Sequence, residues 1–168
     1  MTVNRLTRNK IFWLVLGVVI VSLLLAGGLA KKQNLLLAQH EETYQQGVAT
    51  LQSGDFRKAI QLFSSLPPGY GDSFQALYYT AFAYSHLKDF SQARSYMQKA
   101  QEARPAFLAD PQFLVEYGEI LYETGDFELS RLYLTRALNL GPTQETIDRA
   151  NVVMAKLATI TGEETNGQ

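Results

Sequence analysis

The sequence predicts an all-α protein in which an N-terminal transmembrane helix precedes three helical hairpins and a C-terminal capping helix, stacked as a right-handed α-solenoid. Two observations support this fold class. Residues 11–30 contain no charged side chain, and a short motif ending in an aromatic residue occurs three times in the rest of the chain. A chain of 168 residues has room for one ordinary domain beside such an anchor.

The charges are unevenly distributed along the chain. Residues 1–32, which include a basic tail at 1–10, carry five basic residues and no acid, a net charge of +5. The remaining residues carry 10 basic and 16 acidic side chains, a net charge of -6. An acidic soluble part lacks the positive surface that nucleic acid requires, so we expect no nucleic-acid partner. The chain has no cysteine, which excludes disulfides and thiolate metal sites.

The first element is the apolar stretch at 11–30, IFWLVLGVVIVSLLLAGGLA. As a helix it would be about 30 Å long, which matches the hydrocarbon core of a bilayer. The rival interpretation is a cleaved signal peptide with its small-residue site at 28–30. The stretch is longer than the roughly 7–15 residues of a usual signal core, and two lysines follow it directly, so the sequence favours an anchor.

The basic residues beside this stretch predict its orientation. Arg5, Arg8 and Lys10 precede it, whereas Lys31 and Lys32 follow it. The positive-inside rule then favours a cytoplasmic N-terminus with the repeats outside the cytoplasm. The alternative orientation puts the repeats on the cytoplasmic or stromal face.

The second element is a repeated motif. Gly54-Asp55-Phe56 returns as Lys88-Asp89-Phe90 and as Gly125-Asp126-Phe127, so the copies lie 34 and 37 residues apart. Each copy is preceded, seven positions earlier, by a small residue. After the aromatic residue of the copy come a small residue at the third position and apolar or small residues at the seventh and tenth positions. In chain order these are Gly47, Ala59, Phe63 and Leu66, then Ala81, Ala93, Met97 and Ala100, then Gly118, Ser130, Leu134 and Ala137.

This spacing is typical of a helical hairpin. The residues after the aromatic position form one apolar stripe on a helix. Glycine suits the left-handed position that ends the preceding helix, and the following aspartate suits the N-cap of the next. The small residues allow the two helices to approach closely. Pro105 and Pro142 end the second helix in two of the copies.

The pattern resembles the tetratricopeptide repeat (TPR) family, whose unit is 34 residues. Residues 143–159 add one more amphipathic helix, which would cover the apolar edge of the stack. The predicted boundaries are a helical connector at 31–39, repeats at 40–73, 74–107 and 111–144, a short insertion at 108–110, a capping helix at 145–160 and a disordered tail at 161–168.

The resemblance implies a binding groove, because the first helices of successive repeats line a concave surface in this family. It places there Tyr44, Val48, Tyr78, Tyr79, Phe82, His86, Glu116, Glu119, Tyr122 and Glu123. Glu116, Glu119 and Glu123 share one helix face, which we interpret as a solvated acidic strip rather than a metal site, because histidine partners are missing nearby. An aromatic centre with an acidic end favours an apolar or basic helix or peptide as partner.

The helix with Tyr78 and Phe82 has too many large side chains to bury all of them in one hairpin. Leu77, Ala81 and Tyr84 match the packing positions of the family, which places Tyr78 and Phe82 on the groove side; the alternative is that both are core residues. TPR proteins that hold the acidic tails of chaperones use a clamp of lysine, asparagine and arginine. The matching places here hold Tyr44, Val48 and Tyr79, so we expect this groove to repel acidic tails.

No motif indicates catalysis. The chain has two histidines, His40 and His86, and lacks the HExxH, GxSxG, phosphate-loop and EF-hand patterns. We therefore expect no enzyme, cofactor, metal or small-molecule substrate. The predicted function is a membrane-anchored scaffold for protein–protein interaction in the assembly or stabilisation of a membrane protein complex. The alternatives are a stoichiometric structural subunit of such a complex and an enzyme with an unrecognised site.

Overall fold

Eight helical segments in series make up the part of the chain that the structure, a computed structural model, describes: residues 5–166, without the side chains of 5–12, 20, 24–33 and 161–166. The all-helical prediction is confirmed. The segments are α1 (Arg5–Gln52), α2 (Phe56–Ser64), α3 (Phe74–His86), α4 (Phe90–Ala103), a 3-10 helix (Pro105–Ala109), α5 (Pro111–Glu123), α6 (Phe127–Leu138) and α7 (Gln144–Asn166).

The chain divides into two compact units, residues 1–42 and 43–168. The predicted membrane span at 11–30 lies within α1 in the first unit, and ten of its side chains, at 11–12, 20 and 24–30, lie outside the described residues. Across the described residues, no helix combines the length and the apolar character that a bilayer crossing requires. The predicted tail at 161–168 overlaps the end of α7 at residues 161–166, whose side chains are not described, and residues 167–168 lie outside the described residues.

The second unit stacks helical hairpins. Helix α3 packs against α4 and α5 packs against α6, and neighbouring pairs meet where α2 contacts α3 and α4 contacts α5. Helix α7 packs on both α5 and α6. Its buried residues Ala150, Val153 and Leu157 face the same cluster as Leu134 and Ala137 of α6. The result is the predicted TPR-like solenoid, ended by a helix that covers the apolar edge of the last pair.

Small residues set the distance between the helices of a pair. A Cβ atom on Gly118 of α5 would lie 2.8 Å from Cγ and Cδ2 of Leu134 on α6. A Cβ atom on Gly47 would lie 2.8 Å from Cε1 of Phe63 on α2. The hydroxyl of Ser130 uses the same close approach, since it donates a 2.7 Å hydrogen bond to the carbonyl oxygen of Gly118.

The three copies of the motif form the turns between paired helices. Gly54 and Gly125 adopt φ of 83° and 81°, and Lys88 adopts φ of 61° at the matching place. The carboxylates of Asp55 and Asp89 accept hydrogen bonds from backbone N–H groups of the next helix, as predicted for N-caps.

Asp126 departs from this capping pattern. It occupies the N-cap position of α6, but its side chain makes no capping bond. Its carboxylate instead accepts a 2.6 Å hydrogen bond from Arg94 of α4. The prediction of three side-chain N-caps was therefore wrong for Asp126, because a cation from the preceding repeat competes for the carboxylate.

Two loops between repeats are also ordered by helix caps. Ser73, at the end of the Gly69–Ser73 turn, accepts a hydrogen bond from the Ala76 N–H and begins α3. The insertion before the third repeat overlaps the end of the 3-10 helix Pro105–Ala109, whose C-cap is Asp110. Asp110 then caps α5, because its Oδ1 accepts hydrogen bonds from the N–H groups of Gln112 and Phe113 at 2.9 and 3.3 Å.

Candidate binding groove

Two adjoining pockets are lined mainly by α3 and α5, and we call them together the groove. The aromatic pocket, of about 380 Å³, is lined among others by Tyr78, Tyr79, Phe82, Phe107, Phe113 and Glu116. The acidic pocket, of about 520 Å³, is lined among others by Phe82, His86, Glu116, Glu119, Glu145 and Arg149. Phe82, Gln112 and Glu116 line both pockets, so the two form one continuous surface.

The sequence of α3 presents aromatic side chains to this surface. Leu77 and Ala81 are buried in the core of the second hairpin. Tyr78 and Phe82 lie one position further along the helix and are half-buried at the groove, as the helical offset predicts. The ring of Tyr78 lies 5.7 Å from that of Phe74 and 6.0 Å from that of Phe113, so it packs between α3 and α5.

Two predicted groove residues, Tyr44 and Val48, serve the packing of the first hairpin. Both belong to the hydrophobic cluster around Phe63. The ring of Tyr44 lies 5.9 Å from that of Phe63 and 6.4 Å from that of Tyr79. Neither Tyr44 nor Val48 lines the two pockets of the groove, so both belong to the packing of the first hairpin, where the Tyr44 ring also contacts Tyr79.

His86 marks the edge of the acidic pocket. Its ring is exposed and stacks on Phe56 with centroids 4.4 Å apart and an interplanar angle of 11°. The ring of Phe82 lies 4.3 Å away on the same helix. This histidine therefore continues the aromatic surface toward the acidic pocket.

Glu116 is the buried carboxylate of the groove. Only 5% of it is exposed, so the solvated strip predicted for Glu116, Glu119 and Glu123 was wrong for its first member. The Tyr78 hydroxyl donates a 2.5 Å hydrogen bond to Oε2, and the Gln112 amide donates a 3.2 Å bond to Oε1. Burial raises the pKa of Glu116 above its ordinary value, although both hydrogen bonds and Arg149 oppose that shift.

Arg149 of α7 is one residue at this site that the sequence did not predict. Its Nε and one terminal nitrogen donate hydrogen bonds to the two carboxylate oxygens of Glu119 at 3.1 and 2.6 Å. Its other terminal nitrogen lies 3.7 Å from Oε1 of Glu116. The available signal was the position of Arg149 on the helix after the third repeat, which takes the place of the first helix of a fourth repeat beside the groove.

Phe107 was also missed, because it lies at the insertion rather than on a repeat helix. Its ring stacks on Phe74 with centroids 3.6 Å apart and an interplanar angle of 11°. This stacking places the 3-10 helix at the wall of the aromatic pocket. Pro105 before it and Asp110 after it were the available signals of an ordered insertion.

The last two predicted groove residues, Tyr122 and Glu123, line a third pocket between α5 and α7, of about 320 Å³. Lys156 also lines it, with its Nζ 5.5 Å from the centre of the Tyr122 ring. Arg149 lines both this pocket and the acidic pocket.

The three pockets carry an excess of negative charge. Their lining includes five carboxylates, on Asp110, Glu116, Glu119, Glu123 and Glu145, against two cations, on Arg149 and Lys156. Like charges within a Debye length repel, so this surface is unfavourable for an acidic segment and favourable for a basic one. Within the residues that the structure describes, no group of three or more histidine and carboxylate side chains is placed to hold a metal ion.

The sequence of the repeats matches one family model. Residues 75–144 match the model of YpiA-like, C-terminal tetratricopeptide repeats. Among curated proteins, none matches this chain.

Solved structures share the fold at low sequence identity. The type III secretion chaperone SycD of Yersinia enterocolitica, in complex with a peptide of the translocator YopD, is 17% identical with a TM-score of 0.58, over 74% of this chain and 93% of that one. The first TPR of Spaghetti (RPAP3), bound to an HSP90 peptide, is 18% identical with a TM-score of 0.60, over 71% and 93%. PcrH, in complex with the chaperone binding region of PopD, is 18% identical with a TM-score of 0.56, over 74% and 92%. The matched repeats and the shared arrangement of helices identify this chain as a protein with a tetratricopeptide-repeat fold.

Proposed function

We propose that this chain is a scaffold that binds an apolar or basic helix or peptide of a partner protein in the groove between α3 and α5. The observation that carries the proposal is the continuity of the aromatic and acidic pockets through Phe82, Gln112 and Glu116. Aromatic side chains at a concave surface offer a large contact area at a small cost in conformational entropy. The proposed role requires no catalytic step.

Structures of the same fold support a peptide as the ligand. SycD, PcrH and the first TPR of Spaghetti are each described in complex with a segment of another protein. The HSP90 peptide in the last of these, SRMEEVD, is acidic toward its end. The groove of this chain has excess carboxylates. The places that match a cationic clamp hold Tyr44, Val48 and Tyr79, of which only Tyr79 lines a pocket of the groove, so we expect the groove to select a different, non-acidic segment.

Site-specific photo-crosslinking in the full-length chain tests this function. A benzophenone-bearing residue replaces Phe82 in the groove, and in a control chain it replaces Leu132, which is 61% exposed on α6 and lines none of the three pockets of α3, α5 and α7. After irradiation in gently solubilised native membranes, we expect a partner segment rich in apolar and basic residues to be crosslinked at position 82 only.

The variant Gln112→Arg is designed to abolish binding of the partner in the groove, as a control for the crosslink at position 82. Gln112 is exposed and lines both pockets, so a bulky cation there obstructs the groove without disturbing the core. We expect this variant to lose the crosslink at position 82. Two results together would instead favour a structural subunit that binds its complex through surfaces outside the groove. The same proteins would be crosslinked at positions 82 and 132, and Gln112→Arg would leave both crosslinks unchanged.

We also propose that residues 11–30 anchor the repeats to a membrane, where the scaffold assists the assembly or stability of a membrane protein complex. The support is the charge-free length of this stretch and the basic residues on both sides of it. Anchoring would raise the effective concentration of the groove near membrane-bound partners.

Extraction and topology measurements test the anchor. A spanning helix should keep the chain in the membrane fraction at alkaline pH, and release into the supernatant would contradict it. A reporter fused after Gln168 that works only outside the cytoplasm should be active if the N-terminus is cytoplasmic, as the charge asymmetry favours. A silent reporter in chains that remain in the membrane would place the repeats on the cytoplasmic or stromal face.

A further inference from the structure

The aromatic pocket contains aromatic rings and carboxylates without a basic residue among its described lining, whereas the acidic pocket also contains Arg149. Five aromatic residues line it: Tyr78, Tyr79, Phe82, Phe107 and Phe113. The carboxylates of Asp110 and Glu116 line it as well, and no lysine or arginine is among its lining residues in the described part of the chain. Aromatic faces attract cations through their negative quadrupole, and nearby carboxylates add to that attraction.

The charge of Glu116 is less compensated than that of its neighbour Glu119. Both hydrogen bonds of Arg149 go to Glu119, whereas its distance to the Glu116 carboxylate is 3.7 Å. The donors that do reach Glu116, from Tyr78 and Gln112, are neutral groups. Burial has removed most of the water around the Glu116 carboxylate, so a positive charge in direct contact would compensate it more fully than Arg149 does at 3.7 Å.

The second carboxylate lies at the N-terminal end of the same helix. Oδ1 of Asp110 accepts both capping bonds of α5, which leaves the lone pairs of Oδ2 for another donor. Phe107 lies three residues before it and forms part of the same pocket wall. The pocket therefore carries one carboxylate at the N-cap of α5 and another on its second turn, with rings from α3, α5 and the 3-10 helix around them.

We propose that the aromatic pocket binds the basic side chain, lysine or arginine, of the partner segment. The aromatic rings contact the aliphatic stem and the charged group, and Glu116 with Asp110 balances the charge. This inference rests on the proposed function, since the side chain belongs to the polypeptide that the groove holds. It assigns the specificity of the groove to this pocket rather than to the exposed carboxylate of Glu123.

The alternative occupants fit the chemistry of the pocket less well. An apolar side chain would exclude water from Glu116 without supplying a counter-charge, which makes its ionised form costly. An acidic side chain would meet two carboxylates of the same sign. A basic side chain at Glu123 would form a pair at an exposed position, where solvent screens the attraction.

Titration of the full-length chain with small probes tests the inference. The isotopically labelled chain, in detergent micelles, is titrated with the N-acetyl methylamides of lysine, arginine and norleucine, and the resonances of Tyr78, Phe107 and Phe113 are followed by NMR. We expect both basic probes to shift these resonances and to bind about fivefold or more tightly than norleucine, an apolar side chain of similar shape. Equal binding of norleucine, no shifts with either basic probe, or shifts centred on Glu123 would overturn the proposal.

Matched variants separate charge from shape. Glu116→Gln retains an oxygen for the Tyr78 hydroxyl and should weaken the basic probes about tenfold, with norleucine unaffected; each tenfold loss corresponds to about 1.4 kcal/mol. Glu123→Gln, on the same helix outside the aromatic pocket, should bind all three probes as the parent does. Basic probes that bind Glu116→Gln as tightly as the parent would contradict the inference.

A second variant keeps the test decisive if Glu116→Gln loses its folded spectrum. Phe82→Leu removes one half-buried ring of the pocket and should weaken the lysine probe several-fold while norleucine binds as before; unchanged lysine binding would again overturn the proposal. The crosslink at position 82 reports on the proposed function separately. Suppose that the same partner is crosslinked at position 82 with equal affinity in the parent and in Glu116→Gln. The proposed function of the groove would then stand, and only the proposal that the aromatic pocket binds a basic side chain would be rejected.

Discussion

The hydroxyl of Tyr78 on α3 donates a 2.5 Å hydrogen bond to the buried carboxylate of Glu116 on α5. The bond joins the first helices of two successive repeats, 38 residues apart in the chain, at the centre of the groove. Burial and the adjacent charge of Glu116 raise the pKa of the Tyr78 phenol, so the phenol remains a donor throughout the physiological range. The two residues thus form a polar contact between repeats within a mainly aromatic surface.

Tyr78→Phe should raise the pKa of Glu116 further, because the Tyr78 hydrogen bond favours the ionised carboxylate. The free energy of unfolding at neutral pH should fall by about 1.5–3 kcal/mol, the range for a hydrogen bond to a charged group. NMR titration of the Glu116 side-chain carbon and urea unfolding measure the two effects. An unchanged titration midpoint would show that the hydroxyl does not bond Glu116 in solution.

The raised pKa of Glu116 predicts a specific dependence of stability on pH. Between the ordinary value of 4.5 and the higher folded value, the folded chain binds more protons at this group than the unfolded chain does. The contribution of Glu116 to the free energy of unfolding is therefore largest below 4.5 and decreases as the pH rises through the folded pKa.

Comparison with Glu116→Gln isolates this contribution. Urea unfolding of both chains, followed by circular dichroism between pH 4 and about 7, gives the difference in unfolding free energy. We expect the stability of the parent relative to the variant to fall as the pH rises and then to level off. A difference that rises with pH would mean that Arg149 and the hydrogen bonds outweigh burial.

Gly118→Ala should destabilise the third hairpin by about 1–3 kcal/mol, because the new methyl group would lie 2.8 Å from Leu134. Leu134→Ala should also destabilise, since Leu134 is completely buried. In the double variant the added methyl group occupies part of the space that the leucine leaves, so the combined loss should be smaller than the sum of the two. Hydrogen exchange of the amides of α5 and α6 measures the loss of stability in each variant. Losses that simply add would contradict the close contact between Gly118 and Leu134.

Lys88→Gly should stabilise the second hairpin by roughly 0.5–1 kcal/mol. Lys88 adopts φ of 61° where the other two copies of the motif have glycine, and a side chain in this conformation costs about 1–2 kcal/mol. Part of the gain is offset by the greater freedom of glycine in the unfolded chain. Gly125→Ala, the reverse change at the matching turn, should destabilise the chain, and thermal unfolding of the two variants provides the comparison.

The local pattern of the sequence determined the helices and their turns. Gly54-Asp55-Phe56 and its two later copies predicted where paired helices end and begin, because left-handed turns and helix caps depend on residues within a few positions. The same periodicity placed Tyr78 and Phe82 beside, rather than within, the packing face of α3. Such features repeat from one hairpin to the next, so three copies in register were enough to predict them.

The partners of the charged side chains were decided only by the tertiary structure. Asp126 has the sequence context of an N-cap, yet it pairs with Arg94 of the preceding repeat. Glu116 shares a helix face with Glu119, yet one is buried and bonded to Tyr78 while the other is held by Arg149. These outcomes depend on how each helix is rotated and placed against its neighbours. That arrangement results from the packing of the whole stack, which the spacing of residues within one repeat does not encode.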